Sequence, residues 1–415
     1  MSDFLTLPPG AVRLDNLRLA VGHGLEPFAV TLADGVFTEA PAETVLDMAG
    51  RIAMPPFVDM HTHLDKGHIW PRSPNPDGTF MGALTTVRAD HARWAPEDVE
   101  ARMRFSLRCA WAHGTGAIRT HLDSMGGQFR RSWPVFAKLR EEWAGRIDLQ
   151  AVSLVTCELY GEGEFDAIAD TVAEHRGVLG FVTHPLPDLR DRLMGFWEAA
   201  AARGLSADFH VDETMDPGSE TLRLIAQTKL EAGFDAPVVV GHCCSLSTQE
   251  EARALETLDL VAEAGIHVVS LPMCNMYLQD RHAGRTPRGR GVTLVHEMAA
   301  RGIPVSFASD NTRDPFYAYG DMDMLEVMRE ATRIAHLDHS QDWVPAFAAQ
   351  PAATCGFAPW SPAPDAPADL VIFNARSWTE LFARPQADRM VIRAGRQIDR
   401  TLPDYAELDG LMEGP

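Results

Sequence analysis

A chain of 415 residues, 46% hydrophobic and 23% charged, is long enough to bury a large core and a smaller second unit, and its composition is that of an ordinary globular enzyme. Its 37 Lys and Arg against 58 Asp and Glu leave a net charge of −21, which repels nucleic acid and anionic membranes and leaves a small molecule as the expected partner. No apolar run reaches the roughly eighteen residues of a membrane span, the opening MSDFLTLPPG lacks the pattern of a signal peptide, and Cys109, Cys157, Cys243, Cys244, Cys274 and Cys355 form no CxxC pair, so a cytoplasmic protein with reduced thiols is expected.

The first fifty or so residues (VRLDNLRLAVG, FAVTLADGVFTEA) read as short alternating strands with turn residues and little helical period. From about residue 57, short apolar runs alternate with longer stretches of helical period, the pattern of a parallel sheet with crossover helices. The predicted strands are FVDMHTH (57–63), AIRTHLD (117–123), DLQAVSLV (148–155), VLGFVTH (178–184), LSADFH (205–210), PVVVGHC (237–243), IHVVSLP (266–272) and PVSFASD (304–310). Among the intervening helices, SLSTQEEARALETLDLVAEAG opens with a Ser/Thr cap signal and closes on glycine. Eight strand–helix units predict an α/β fold, a (β/α)8 TIM barrel. APWSPAPDAPAD (358–369) reads as the linker leaving it, and the tail (ADLVIFNA, DRMVIRAGRQI) returns to alternating strands. Neither end is large enough to fold alone. The expected division is therefore 1–53 and 361–415 pairing into one small β-sandwich-like domain around a catalytic barrel of 54–360.

Catalytic groups of such barrels sit where the strands end, and six of the eight strands end in metal-ligand or acid/base residue types. His61 and His63 are spaced by two on a strand and project from one face, so both imidazoles can reach one metal. Alone such a pair reads equally well as two core histidines. His210 with Glu213 after the fifth strand, His242 after the sixth and Asp310 after the eighth turn it into a constellation with a required structural context.

The motifs VDMHTHLDK (58–66), IRTHLD (118–123), HVDE (210–213), GHCCSLS (241–247), NMYLQDR (275–281) and SDNTRDPFYAYGDMDM (309–324) together resemble the amidohydrolase superfamily. Within it they are similar to the cytosine deaminase group, including the triazine-degrading N-isopropylammelide amidohydrolases. The resemblance covers nearly the whole chain. It implies that His61, His63, His210 and Asp310 hold one divalent metal, Zn2+ or Fe2+. It also implies that Glu213 shuttles a proton beside the substrate ring and that His242 hydrogen-bonds the activated water. The fourth strand, VLGFVTH, carries no lysine to form the carbamate bridge of two-metal subtypes, so one metal is expected. A divalent cation lowers the pKa of bound water from about 15.7 towards roughly 7, Asp310 can take its proton, and the catalytic set becomes Glu213, His242 and Asp310.

Substrate contacts are expected from Thr156, His184, Gln279, Asn311, Phe316 and Lys66, although His184 reads equally as a structural histidine and Lys66 as a solvated loop lysine. Three positions depart from the cytosine deaminase pattern: Thr156 stands where a glutamine reads the pyrimidine edge, Asn311 replaces an aspartate and Phe316 a tryptophan. Cytosine is therefore expected to be a poor substrate. The arginines of NMYLQDRHAGRTPRGRG (275–291) read as a cover of the mouth, with an anion site as the alternative. The sequence thus predicts a metal-dependent hydrolytic deaminase of an amino-substituted nitrogen heterocycle. Opening of a cyclic amide or removal of an alkylamine from a triazine-like ring is the alternative, followed by a non-catalytic metal-binding scaffold. Association into a homo-oligomer through the barrel helices is compatible with all three.

Overall fold

The computed structural model describes residues 4–22, 24–338, 343–385 and 388–413; Met1–Asp3, the start of the segment read for a leader, lie outside them. The N-terminal strands are β1 (Val12–Gly22), β2 (Gly24–Ala33), β3 (Val36–Thr38), β4 (Thr44–Asp47) and β5 (Ile52–Met54). Eight further strands follow in alternation with helices: β6 (Phe57–Thr62), β7 (Thr115–Asp123), β8 (Asp148–Leu154), β9 (Leu179–Thr183), β10 (Ala207–Val211), β11 (Val238–His242), β12 (His267–Ser270) and β13 (Val305–Phe307). The chain ends with β14 (Leu370–Phe373), β15 (Arg389–Arg393) and β16 (Arg396–Gln397).

The eight predicted strands are all present, within a few residues of their expected bounds, and all pair in parallel. They form a three-stranded sheet, β6-β7-β8, and a five-stranded sheet, β9 to β13 in sequence order. Backbone bridges join the two sheets at both seams: Val152 to Val178 and Thr156 to Val182 link β8 to β9, and Thr62 to Asp310 links β6 to the residues after β13. The strands are buried on both faces, as parallel strands under crossover helices must be. The helices cover them with apolar faces, such as Phe165, Ile168 and Val172 on one helix and Phe196 and Trp197 on the next. The helix after β11 differs from expectation at its start. The Ser/Thr run forms a 3-10 turn, Cys244–Thr248, and the helix proper, Glu251–Glu263, is capped by the Glu250 carboxylate accepting from the Arg253 amide.

The two chain ends meet in one mixed sheet, where β14 pairs antiparallel with β5 and β1 pairs with β2, β4 and β5. Val12, Leu14, Leu32, Leu370, Ile372, Met390 and Ile392, from both ends, share one buried cluster that neither end could fill alone. The stretch 358–369 is fastened rather than free: Trp360 packs edge-on against Phe37, its indole N–H donates to the Asp369 carbonyl, and Phe37 N–H donates to the Ala366 carbonyl. Among the described residues, no helix is long and apolar enough to cross a membrane.

Candidate active site

The ends of β6, β7, β10, β11 and β13 deliver their side chains to one buried point. Residues two apart on a strand share a face, so Asp59, His61 and His63 line up inward on and just after β6, as do Arg119, His121 and Asp123 on β7 and Asp208 and His210 on β10. Asp310 is brought in by a clamp: the Asp59 carboxylate accepts from Ser309 N–H at 3.1 Å and from Ser309 Oγ at 2.5 Å, while Asp310 N–H donates to the His61 carbonyl at 2.9 Å. The backbone at Asp212, His242 and Asp310 is left-handed (φ 47°, 71° and 63°), a conformation non-glycine residues adopt sparingly and one that turns the chain sharply at the strand ends.

Asp310 Oδ1 lies 3.2 Å from His63 Nε2 and 3.6 Å from His61 Nε2, and His210 Nε2 is 3.4 Å from His63 Nε2. Two neutral imidazole nitrogens this close, beside a carboxylate, need a proton or a cation between them. Both nitrogens of His61, Nδ1 of His63 and both oxygens of Asp310 are buried without a hydrogen-bond partner, an arrangement that costs about 1–3 kcal/mol for each unpaired group. Burial, with the positive charge that neighbouring groups would add, holds the His61, His63 and His210 imidazoles well below their usual range, so they are neutral donors of lone pairs. Burial raises the Asp310 carboxyl to about 7. His61, His63 and Asp310 bring one ligand atom each within 4.8 Å of one another, and with His210 3.4 Å from His63 this donor set fits a divalent cation.

The sequence did not single out His121. Its ring is tilted against that of His61 with centroids 4.0 Å apart, it is fully buried with neither nitrogen hydrogen-bonded, and one nitrogen each of His61, His121 and His210 lie within 4.8 Å of one another. The signal was present in the period of two along IRTHLD, which places His121 inward between Arg119 and Asp123 just as His61 sits between Asp59 and His63.

Glu213 and His242 stand beside this cluster. Asp212 caps the helix Thr221–Ala232, its carboxylate accepting from the Thr221 and Leu222 amides at 3.0 Å each, which fixes the turn that presents Glu213. The Gln279 side chain donates to the Glu213 carbonyl at 3.1 Å, and Gly291 (φ 67°) closes over Gln279 so tightly that a Cβ there would lie 2.5 Å from its Cγ. Glu213 Oε1 is 3.6 Å from His242 Nδ1. Burial first, and Asp310 second, push the Glu213 carboxyl well above its ordinary range, which favours its protonated form. Burial lowers His242 to about 3, leaving it neutral. With the Asn275 amide donating to His242 Nδ1 at 2.9 Å, the ring proton sits on Nε2, which is buried and unpartnered.

The expected substrate residues divide. Lys66 is buried, its Nζ 2.9 Å from Asp123 Oδ1 and 5.2 Å from the Phe316 ring centre; burial alone would lower its ammonium, but Asp123, Asp65 and Asp314 outweigh it and keep the charge. Phe316 is nearly buried and edge-on to Phe80. Asn311 lies next to Asp310, but its amide donates to Asp314 Oδ2 at 2.7 Å and its oxygen accepts from the Cys274 thiol at 3.5 Å. Thr156 sits at the end of β8, with its hydroxyl 3.5 Å from the Met125 sulfur. His184 is not drawn into the histidine cluster; it is half exposed and pairs with Glu158. In the loop 275–291, Asp280 receives Arg285 and His282 while Arg281 lies over Tyr277, so these cations meet acidic and aromatic neighbours.

Residues 157–399 match the model of the family described as "Amidohydrolase family", a stretch longer than half the chain. The chain belongs to the amidohydrolase family. It is 54% identical over 404 residues to a pterin deaminase of Rhizobium rhizogenes, an alignment covering 93% of this chain and 91% of that protein. Among solved structures it resembles the 5-methylcytosine deaminase of Klebsiella pneumoniae in complex with 5-fluorocytosine (26% identity, TM-score 0.80, 94% of this chain and 98% of that one). It also resembles the N-isopropylammelide isopropylaminohydrolase of Burkholderia multivorans (25% identity, TM-score 0.73, 94% and 98%). This amidohydrolase is a hydrolytic deaminase of a nitrogen heterocycle, a hydrolase of carbon–nitrogen bonds in cyclic amidines.

Proposed function

We propose that the substrate is an aminopteridine of the pterin type, converted to the corresponding dioxo ring with release of ammonia. The observation that carries this reading is the 54% identity to the pterin deaminase over nearly the full length of both chains. The departure at Thr156 from the cytosine pattern speaks against cytosine itself, because a site that reads ring donors and acceptors discriminates by about 1–3 kcal/mol for each group left unpaired.

In this reading His61, His63, His210 and Asp310 hold one divalent cation, zinc or iron, whose contribution when bound is to activate water as a nucleophile near neutral pH. Glu213, whose protonated form burial favours, gives its proton to the ring nitrogen beside the amino-bearing carbon and so makes that carbon electrophilic. His242 Nε2–H donates towards the oxygen that attacks, held in that tautomer by Asn275. Asp310 takes one proton of the water and passes it to the amino group, which leaves as ammonia, while the second proton of the water, on the added hydroxyl, returns to Glu213 as the ring carbonyl forms. Lys66, Thr156, Gln279, Asn311 and Phe316 shape the mouth where the ring sits.

Further elements of the reading follow the fold. The two parallel sheets close into one (β/α)8 barrel, supported by the bridges at both seams. Residues 1–53 and 361–415 form a sandwich-like β domain around the catalytic unit 54–360, supported by the core they share. Six free, buried cysteines suit the reducing cytoplasm.

The test is turnover of pterin, cytosine, isocytosine and an N-alkyl aminotriazine by metal-replete protein, with ammonia, alkylamine and ring products measured. Pterin should give ammonia and an intact dioxopteridine with the highest kcat/KM. Preference for cytosine, or release of alkylamine from the triazine in place of ammonia from pterin, would overturn the assignment.

A further inference from the structure

A second group of ligand-type side chains lies outside the histidine cluster and shares no residue with it. The chain leaves β8 at Leu154 and makes a 3-10 turn at Cys157–Leu159, while β9 ends at Thr183 and is followed by His184. Because Thr156 bridges Val182, the turn and His184 are held side by side although 27 residues separate Cys157 from His184. Cys157 Sγ lies 3.8 Å from Glu158 Oε2 and 3.9 Å from His184 Nδ1, and His184 Nε2 is 2.8 Å from Glu158 Oε1. One ligand atom from each residue falls within 4.8 Å of the other two.

We propose that Cys157, Glu158 and His184 form a second metal site, for a zinc-type cation, at the edge of the barrel mouth. A thiolate, an imidazole and a carboxylate are the donors such ions take, and bonds of about 2.0–2.3 Å would set the sulfur roughly as far from Glu158 Oε2 and His184 Nδ1 as it stands here. The turn is organised before any ion arrives, since the Arg192 guanidinium donates to the carbonyls of Cys157 at 3.2 Å, Glu158 at 2.9 Å and Tyr160 at 3.2 Å. The glutamate and histidine side chains are about half exposed and the sulfur is buried beneath them, so an ion enters from solvent and keeps at least one position for water. Binding converts the Cys157 thiol to a metal thiolate and releases its proton to solvent. Because that proton must leave, affinity strengthens as pH rises.

Cobalt(II) added to the metal-replete protein tests the site, because the histidine cluster as assigned offers only nitrogen and oxygen ligands while this one offers sulfur. Wild-type protein should take up one equivalent beyond its resident metal, with a near-ultraviolet sulfur-to-cobalt charge-transfer band. Cys157→Ser should abolish the band. His184→Ala, at a half-exposed position that does not threaten the fold, should lose the extra equivalent. Cys274→Ser should keep both, which separates this site from cobalt that displaces the resident ion near Asp310. Absence of an extra equivalent, a band that depends on Cys274 rather than Cys157, or an extra equivalent that survives His184→Ala would each overturn the proposal.

Discussion

At the scale of single residues, the proposed reading separates groups that bind from groups that move protons, and the separation is measurable. His61, His63, His210 and Asp310 have buried nitrogens and oxygens converging within a few ångströms, so His61→Ala, His63→Ala, His210→Ala and Asp310→Ala should each lose bound metal and activity together. Glu213 stands off that point, 3.6 Å from His242, so Glu213→Gln should retain metal while kcat falls by about 10²–10⁴-fold. Metal analysis of the purified variants decides it, and a metal-free Glu213→Gln protein would remove its assignment as proton donor. Asn311 demands a different expectation from the one its sequence neighbours suggest. Its amide donates to Asp314, whose carboxyl burial already raises to about 6. Asn311→Asp therefore sets two buried carboxylates against each other at 2.7 Å. It should destabilise the fold by about 1–3 kcal/mol at pH 7, with the loss shrinking as pH falls and one of the pair takes a proton. Unchanged melting at pH 7 would show that the pair relaxes apart.

At the scale of elements, the period of two along FVDMHTH, the apolar runs of the other strands and the residues at their ends were legible from sequence, because strand alternation and strand-end chemistry are local properties. His121 escaped notice because it sits inside the inward row of β7 rather than at its end, and its meaning arises only when β6 and β10 flank it. The partners of Asn311 and the withdrawal of His184 to Glu158 were likewise illegible, since each depends on a loop conformation and on a neighbour that no spacing rule identifies. The clamp between β6 and the end of β13 belongs to this scale too. Ser309 donates twice to Asp59, whose carboxyl burial raises to about 6, and the next residue is Asp310. Ser309→Ala keeps the backbone bond and removes the 2.5 Å side-chain bond. Metal affinity should then fall by about 10–100-fold with the ligands themselves intact. Competition with a chelator measures this, and an unchanged affinity would mean that the Thr62–Asp310 bridge alone sets the ligand.

At the scale of the whole molecule, sequence indicated that the two chain ends would pair, since each carries strands too few to bury their own apolar face, but it gave no hint of what ties that sheet to the parallel strands and their helices. The tie is ionic. Arg389, on β15, donates to both Asp323 oxygens at 2.8 and 2.6 Å and to the His113 carbonyl at 2.9 Å, with Asp323 capping the helix Met324–Ile334 that follows the site loop. Burial alone would raise the Asp323 carboxyl; Arg389 and His113 outweigh it and hold it well below the ordinary range. A group depressed in the folded state contributes stability that is fully present above its unfolded pKa of about 3.9 and is lost as pH falls through the folded value. Arg389→Ala leaves a buried carboxylate without its partner and should cost about 3–5 kcal/mol at pH 7. In that variant burial dominates, the Asp323 carboxyl rises, and protonation relieves the charge in place of removing a favourable pair. The gap in Tm between wild-type and Arg389→Ala protein should therefore narrow steadily as pH is lowered from about 6 towards 4 and below. Melting curves at fixed ionic strength across that range read it directly, and a gap independent of pH would show that Arg389 acts by packing against Phe373 rather than through Asp323.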